Sequence, residues 1–411
     1  MFFDQDNANK WAVRGGEFLF FIMILVSMVD PSNSILHLKN PAFALLLMYN
    51  IVVFKPDFRY LTCILMPFIA LMCGFISSQI LGVNINDDFF IATFKGFAML
   101  ILLLWVPYYD VIKVSKAAAL IFSICGAILF VAAASDDLLK AAIWKFQSEG
   151  HDGAFLLSER QFLGVEVLGI NYNSTICTAL PLFASSYAFF SKARHRIFNF
   201  FCTVFITFLF ITSGSRSTML LPFCLIGISF YIVYRKSRYV KLLMYPMIAI
   251  IAIALIVLVI KLAGQKNEES NIIKYAHLYS YGRLLHYFPE YFVLGQGPGS
   301  MFFSMGVREM IPQTEWSYIE IPRMCGVFCV GIFYMLLYPL RYTKQCFRQD
   351  YTMGFIISYM FFLVVAGTNP MLVNSSGMCV MMMIYSFVSK MPHDTSIVRQ
   401  TQDSKEITTK G

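Results

Sequence analysis

Apolar positions in this chain come in long runs rather than with a helical or strand period. Stretches rich in Leu, Ile, Val, Phe, Met and Ala alternate with short polar interruptions from near the start to about residue 390. Segments that are apolar on every side belong in lipid or deep among other helices. A hydropathy reading predicts about twelve membrane helices. They fall near residues 17–36, 40–54, 61–82, 88–108, 117–135, 173–191, 197–213, 218–234, 242–262, 323–341, 351–369 and 375–390. The first two are imperfect, because Asp30 interrupts one and the other is short for a span of roughly 20 residues. They are expected to be tilted or partly interfacial. The run 18–29 has no small-residue cleavage site after it, so it reads as a first membrane helix rather than a leader.

Composition points the same way. Of 411 residues, 58% are hydrophobic and 14% charged, with a mean hydropathy of +0.65; soluble domains carry about 25% charged residues. The expected class is an all-α polytopic membrane protein. Residues 1–391 are expected to form a single membrane domain, and 392–411 a polar, disordered tail without aromatics.

The net charge of +8 follows from topology. With both termini in the cytoplasm, the short loops at 192–196 and 235–241 and the charges Lys10, Arg14, Lys55, Arg59, Lys113 and Lys116 all lie on the cytoplasmic side. The acidic turn 82–88 then lies outside, which is the positive-inside pattern. No basic patch interleaved with aromatics stands apart from the spans, so the charge gives no reason to expect nucleic acid. Nearly all of the ten cysteines lie in apolar runs. Cys325 and Cys329 share one helix face without a histidine or a third cysteine, which reads as packing rather than metal binding. No cofactor is expected, and no metal-ligand spacing occurs.

Two external loops, 135–171 and 263–322, are too long to be simple connections. The first contains an amphipathic piece, 138–146, with Asp136 and Asp137 at its start, and a polar stretch, 147–160. The second carries an aromatic helical pattern over 275–291 and the turn Gly295-Gln296-Gly297-Pro298-Gly299-Ser300. It closes with Thr314-Glu315-Trp316-Ser317-Tyr318. The glycine run lacks dinucleotide-binding spacing and reads as a structural turn.

Chemistry can be carried where charge meets membrane. Arg216 stands between two apolar runs in Ser213-Gly214-Ser215-Arg216-Ser217, and is either an interfacial anchor or an anion contact. If it binds an anion, the guanidinium fork suits phosphate oxygens, and Ser215, Ser217 and a helix N-terminus would add donors. Arg283 is a second such group, or the polar face of an amphipathic helix. Glu315 either accepts a proton from an attacking hydroxyl, caps a helix, or pairs with Arg308 or Arg323. Lys95, in the outer half of its span, reaches an outer phosphate or snorkels to the interface. Asn173 and Ser174 are expected to cap the sixth span, with binding of sugar hydroxyls as the alternative. His277 and His286 are possible bases, although a lone loop histidine is more often solvated. Tyr281, Trp316 and Tyr318 are either sugar platforms or the core of their own loop.

Taken together, the pattern resembles the O-antigen polymerase and ligase superfamily of bacterial inner membranes. The resemblance rests on Gly-Ile-Asn-Tyr-Asn-Ser (169–174), Ser-Gly-Ser-Arg-Ser (213–217), Tyr-Gly-Arg-Leu (281–284), Gly-Gln-Gly-Pro-Gly-Ser (295–300) and Thr-Glu-Trp-Ser-Tyr (314–318), in that order. It covers about residues 160–345. It implies a metal-independent glycosyltransferase with a GT-C-type membrane fold, working on undecaprenyl-diphosphate-linked glycans at the periplasmic face. A chain-length regulator and a flippase of the same pathway would be its partners, besides membrane lipid. By the same resemblance Arg216 and Arg283 bind the donor diphosphate, Glu315 is the candidate base, and Ser215, Ser217, Asn173, Tyr281, Trp316, Tyr318, Arg323 and Lys95 line the substrate site. Ligases carry a histidine after the glycine-rich turn. This chain has Glu315 there instead, which favours the polymerase branch, the Wzy type.

Overall fold

A computed structural model describes residues 10–148, 155–162, 165–213, 216–238, 269–314, 316–343, 349–367, 369 and 371–391. Within these, the side chains of residues 158, 160–162, 165–167, 216–217, 269–271 and 274 are outside the description.

The apolar runs, where described, fold as helices, many of them close to their predicted bounds. They are α1 (Lys10–Val29), α2 (Lys39–Val53), α3 (Leu61–Ile80), α4 (Asp87–Ala98) and α5 (Val111–Ser135). Next come α6 (Asp137–Phe146), α7 (Ala179–Phe190), α8 (Arg196–Thr212) and α9 (Arg216–Tyr234). The second long loop contributes α10 (Glu269–Tyr287) and α11 (Glu290–Leu294). The last group is α12 (Ser317–Cys325), α13 (Val330–Leu337), α14 (Asp350–Gly367) and α15 (Ser375–Ser389). Among the described residues, five helices are long and apolar enough to cross a membrane, namely Lys10–Val29, Phe58–Ile80, Val111–Ser135, Ser317–Tyr342 and Asp350–Gly367. Five further apolar helices are shorter, at 10–17 residues. The run expected at 242–262 lies outside the described residues, as does the tail.

Several boundaries depart from the hydropathy reading for identifiable reasons. Asp30 interrupts the first predicted run as expected: α1 starts earlier, at Lys10, and ends at Val29, one residue before it. Its carboxylate accepts hydrogen bonds from the backbone N–H groups of Ser34 (3.0 Å), Ile35 (3.0 Å) and Leu36 (2.7 Å), so a buried charge becomes the anchor of the turn to α2. The predicted fourth span tightens after Ala98 into 3-10 turns, Met99–Leu104 and Val106–Tyr108, with Pro107 in the second. The tenth was expected to start at 323. Its helix begins at Ser317, breaks at Gly326, and resumes through a 3-10 turn as α13.

The first external loop holds both a success and a correction. The amphipathic piece is α6, capped by Asp136, whose side chain accepts from Leu138 and Leu139 N–H. The polar stretch after it, from Phe155 on, is strand rather than loop. It enters an antiparallel hairpin of β1 (Phe155–Phe162) and β2 (Val165–Tyr172), in register from Phe155 opposite Tyr172 to Phe162 opposite Val165. Leu157 and Ile170 face each other across the ladder, and both are buried. A second, shorter hairpin pairs β3 (Phe302–Ser304) with β4 (Glu309–Ile311). The fold is therefore mainly helical, with two small hairpins added to the predicted all-α plan.

The helices bring the loops to two ends. At one end, the Ser174 hydroxyl donates to the Met28 carbonyl, Ser375 Oγ donates to Pro31 O (3.1 Å), and Asn86 N–H reaches Gly299 O (2.8 Å). At the other end, Lys116 donates to Asn199 (3.0 Å), Arg235 pairs with Asp350, and Ser386 Oγ donates to Tyr109 O (3.0 Å). The first end carries both hairpins and α10. The second carries the dense basic turns.

Candidate functional site

The residues singled out in the sequence, where described, lie at the hairpin-bearing end. The glycine-rich turn forms a strap against α3 and α12. Gln296 N–H donates to Arg323 O (2.7 Å) and Gly297 N–H to Met324 O (3.0 Å). Gly297 has φ +93°, and a Cβ there would stand 2.6 Å from Ser78 Cβ. Gly326, at φ +54°, turns the chain where any Cβ would overlap the Val293 carbonyl. Both positions need glycine for backbone sign and for space.

Under the strap lies a buried ion pair that sequence reasoning missed. Arg323 is fully buried and Glu320 is 2% exposed. One turn of α12 separates them, and Arg323 Nε and Nη2 reach the two carboxylate oxygens at 2.9 and 2.5 Å. The remaining N–H groups donate to Gln296 Oε1 (3.1 Å), Ser300 O (2.9 Å), Ser300 Oγ (2.7 Å) and Pro312 O (2.8 Å). The guanidinium also lies over the Phe302 ring at 4.9 Å. Glu320 Oε2 accepts in addition from Thr314 N–H (2.9 Å). A guanidinium has five N–H donors, and every one is engaged inside the protein. Arg323 was expected to meet substrate; its donors are spent on fixing the strap and the segment 312–314. Glu315 was one partner the sequence offered for it; among the described residues its partner is Glu320.

Tyr318 differs from expectation in the same way. Its hydroxyl donates to Leu363 O (2.7 Å) and its ring fills the space beside Gly367, so it joins α12 to α14. Trp316 is half-buried, and its indole N–H is buried without a hydrogen-bond partner among the described residues. Tyr281 is 9% exposed on the inner face of α10. Burial pushes its phenol up to about 12, with the Arg323 charge pulling in the opposite direction. His277 is not a solvated loop histidine. It is 3% exposed and stands edge-on to Phe302.

Arg283 is the contrast to Arg323. It is fully exposed on α10, with its guanidinium 5.7 Å from the Tyr287 ring. Among the described residues it makes one hydrogen bond, to the Tyr287 hydroxyl at 3.4 Å. Tyr275 and Tyr279 precede it at four-residue spacing, and these three tyrosines are each at least 60% exposed. Among the described side chains, the outer face of α10 is thus an aromatic stripe carrying an exposed cation, Arg283, rather than loop core. Its inner face packs on β3 and the β3–β4 turn, where Ser280 Oγ accepts from Met305 N–H (2.9 Å).

Ser174 does not cap the sixth span with its side chain. Ser174 occupies the cap position without a side-chain cap, because its hydroxyl ties β2's end to α1 instead. Lys95 is exposed in the last turn of α4. Next to it, Gly96 backs onto Ser375, where a Cβ would meet the backbone nitrogen at 3.2 Å. Lys39, which the sequence did not single out, donates to Pro31 O and to Ser375 Oγ (3.3 Å).

Ser215 and Glu315, and the side chains of Arg216 and Ser217, lie outside the described residues. Among described residues no group of three or more His, Cys, Asp and Glu side chains is arranged to hold a metal ion. Comparisons with protein-family models, with curated proteins and with solved structures find no match for this chain.

Proposed function

We propose that the chain is an O-antigen polymerase of the Wzy type, an inner-membrane glycosyltransferase of the GT-C kind with about twelve spans and a periplasm-facing site. The observation that carries this reading is the division of labour between two arginines at one end of the bundle. Arg323 is fully committed within the protein, whereas Arg283 is exposed and held by one long hydrogen bond on a tyrosine-rich face. An uncommitted guanidinium beside aromatic rings suits a ligand that is part phosphate and part sugar. The ordered motif set of the sequence supports the same reading.

The reaction is a displacement at an anomeric carbon. The acceptor sugar hydroxyl attacks, its proton passes to a base, and the bond from that carbon to the diphosphate oxygen breaks, releasing undecaprenyl diphosphate. The growing glycan moves to the non-reducing end of the incoming lipid-linked repeat unit. Glu315 is the candidate base, and Arg216 and Arg283 stabilise the charge that develops on the leaving diphosphate. Orientation of the two lipid-linked substrates supplies much of the rest.

Gene deletion followed by gel analysis of lipopolysaccharide tests the reading. A core bearing one repeat unit is the expected result. Bare core with lipid-linked polymer would indicate a ligase, and bare core with unpolymerised units on the inner leaflet a flippase. Complementation with Arg283→Ala should restore about 1% of polymerisation or less, the scale for losing a donor that meets developing charge. Full restoration would overturn the role given to Arg283.

A further inference from the structure

The second long loop has one part that does not belong outside the membrane. We infer that residues 288–300 are re-entrant: they dip into the leaflet at the hairpin-bearing end, where lipid acyl chains cover the side chains of Phe292 and Val293. The rest of the loop stays external. This placement needs only that α3 spans the membrane, and it is independent of the proposed function.

The depth follows from α3. Its 20 residues, Leu61–Ile80, are about 30 Å long, the thickness of the hydrocarbon core. No charged residue occurs between Arg59 below it and Asp87 above it. Gly74 stands six residues before the end of this helix, about 9 Å inside the hydrocarbon. The span Ser317–Tyr342 runs antiparallel beside it: Gly74 abuts the Met324 carbonyl, and a Cβ on Gly331 would stand 2.5 Å from the Met66 carbonyl. The strap meets both helices at the level of Gly74. A Cβ on Gly297 would lie 2.9 Å from the Gly74 carbonyl, and one on Gly295 would lie 2.5 Å from Gly326 N and 2.7 Å from Met324 O. The chain then climbs out. Gly299 O accepts from Asn86 N–H (2.8 Å) and Met301 N–H donates to Asn84 O (2.9 Å), past the end of α3 and next to Asp87.

The chemistry suits that depth. Irregular backbone is tolerated in hydrocarbon only where protein covers it. Every residue from Gly295 to Ser300 is buried. The N–H groups of Gly295, Gln296 and Gly297 donate to Tyr291 O (3.0 Å), Arg323 O (2.7 Å) and Met324 O (3.0 Å). What faces outward is α11, which packs on both α3 and the turn Gly326–Cys329. Phe292 is 65% and Val293 49% exposed, and the single charge of the segment, Glu290, stands near its start. Ile76 of α3, and Val327 and Phe328 beside Gly326, are exposed apolar side chains of the two spans at the same height. Phe292 and Val293 continue that lipid-facing surface. In water they would widen an exposed apolar patch, whereas acyl chains remove its hydration cost.

The experiment reconstitutes full-length protein into phosphatidylcholine vesicles whose acyl chains carry bromine at defined depths. Phe292→Trp is the probe, Ile76→Trp is the reference at the same height, and the wild type corrects for the four native tryptophans. Phe292→Trp should emit blue-shifted light, lose most fluorescence to the same bromine position as Ile76→Trp, and be protected from aqueous iodide. Val293→Trp should behave in the same way, and it replaces Phe292→Trp if that variant does not fold. Quenching by iodide but not by bromine would put the segment in water and overturn the inference. Protection from both would mean that protein covers α11, either a second copy or another segment of the chain, and would overturn it as well. An Ile76→Trp reference that bromine does not quench would remove α3 from the bilayer and the dip with it.

Discussion

Single residues at the hairpin end divide into those whose hydrogen-bonding capacity is exhausted and those with capacity left. Arg323 and Asp30 are of the first kind, and each converts a buried charge into a joint between segments. Removing one member of a buried pair leaves the other uncompensated, which costs about 3–5 kcal/mol, whereas replacing both with apolar groups is often neutral. Arg323→Met should therefore lower the melting temperature in detergent sharply, and Glu320→Leu/Arg323→Met should recover much of it. If both variants melt alike, the pair is not the joint described. The role of Arg323 was not legible in the sequence. Its partners Gln296 and Ser300 lie 27 and 23 residues away, and only the early start of α12 at Ser317 sets it one turn from Glu320. Arg283 was legible as an exposed cation because its surroundings are local: Tyr287 is one helical turn away.

Secondary elements follow the sequence where the signal is local. A long apolar run has one good solution in lipid, a helix that satisfies its own backbone, and α2, α3, α8, α9, α14 and α15 begin and end near their predicted bounds, whereas α1 lies seven residues earlier at both ends. The β1–β2 hairpin was missed because its stability comes from cross-strand pairs such as Leu157 with Ile170, and a polar strand beside a membrane gives little warning of them. The glycine strap was legible as a turn but not as a contact, since the need for Gly297 arises from Ser78, on another helix. Gly297→Ala should destabilise by at least about 1–3 kcal/mol through overpacking, with backbone strain in addition. Thermal denaturation against Gly282→Ala checks this, because Gly282 has open space around its Cβ position and a negative φ.

At the scale of the whole molecule, the two ends differ in kind. One is built from hairpins, the strap and α10; the other holds short turns dense in lysine and arginine. With the basic end in the cytoplasm, the orientation proposed from the positive-inside pattern, Asp137→Cys should react with a membrane-impermeant maleimide in cells whose outer membrane is permeabilised, and Asp57→Cys should not. The reverse labelling would invert the proposed orientation. The gathering of basic turns at one end was legible in the sequence because charge bias is additive along the chain. The sequence could not predict how the hairpin-bearing end closes, because that depends on contacts such as Ser174 with Met28 and Ser317 with Asn369, between segments far apart in sequence.

The buried Arg323–Glu320 pair also bears on how the protein is made. Arg costs about 2.5–3.5 kcal/mol at the centre of a helix entering the bilayer through the translocon, and α12, near the start of its segment, carries Arg323, Glu320 and Pro322. Its satisfying partners, Gln296, Ser300, Pro312 and Thr314, all precede it in the chain and leave the ribosome first. The segment Ser317–Tyr342 is therefore best accommodated once the preceding loop has folded and can receive it. Biogenesis would then be sequential at this point, with an extramembrane loop acting as the template for the membrane helix that follows.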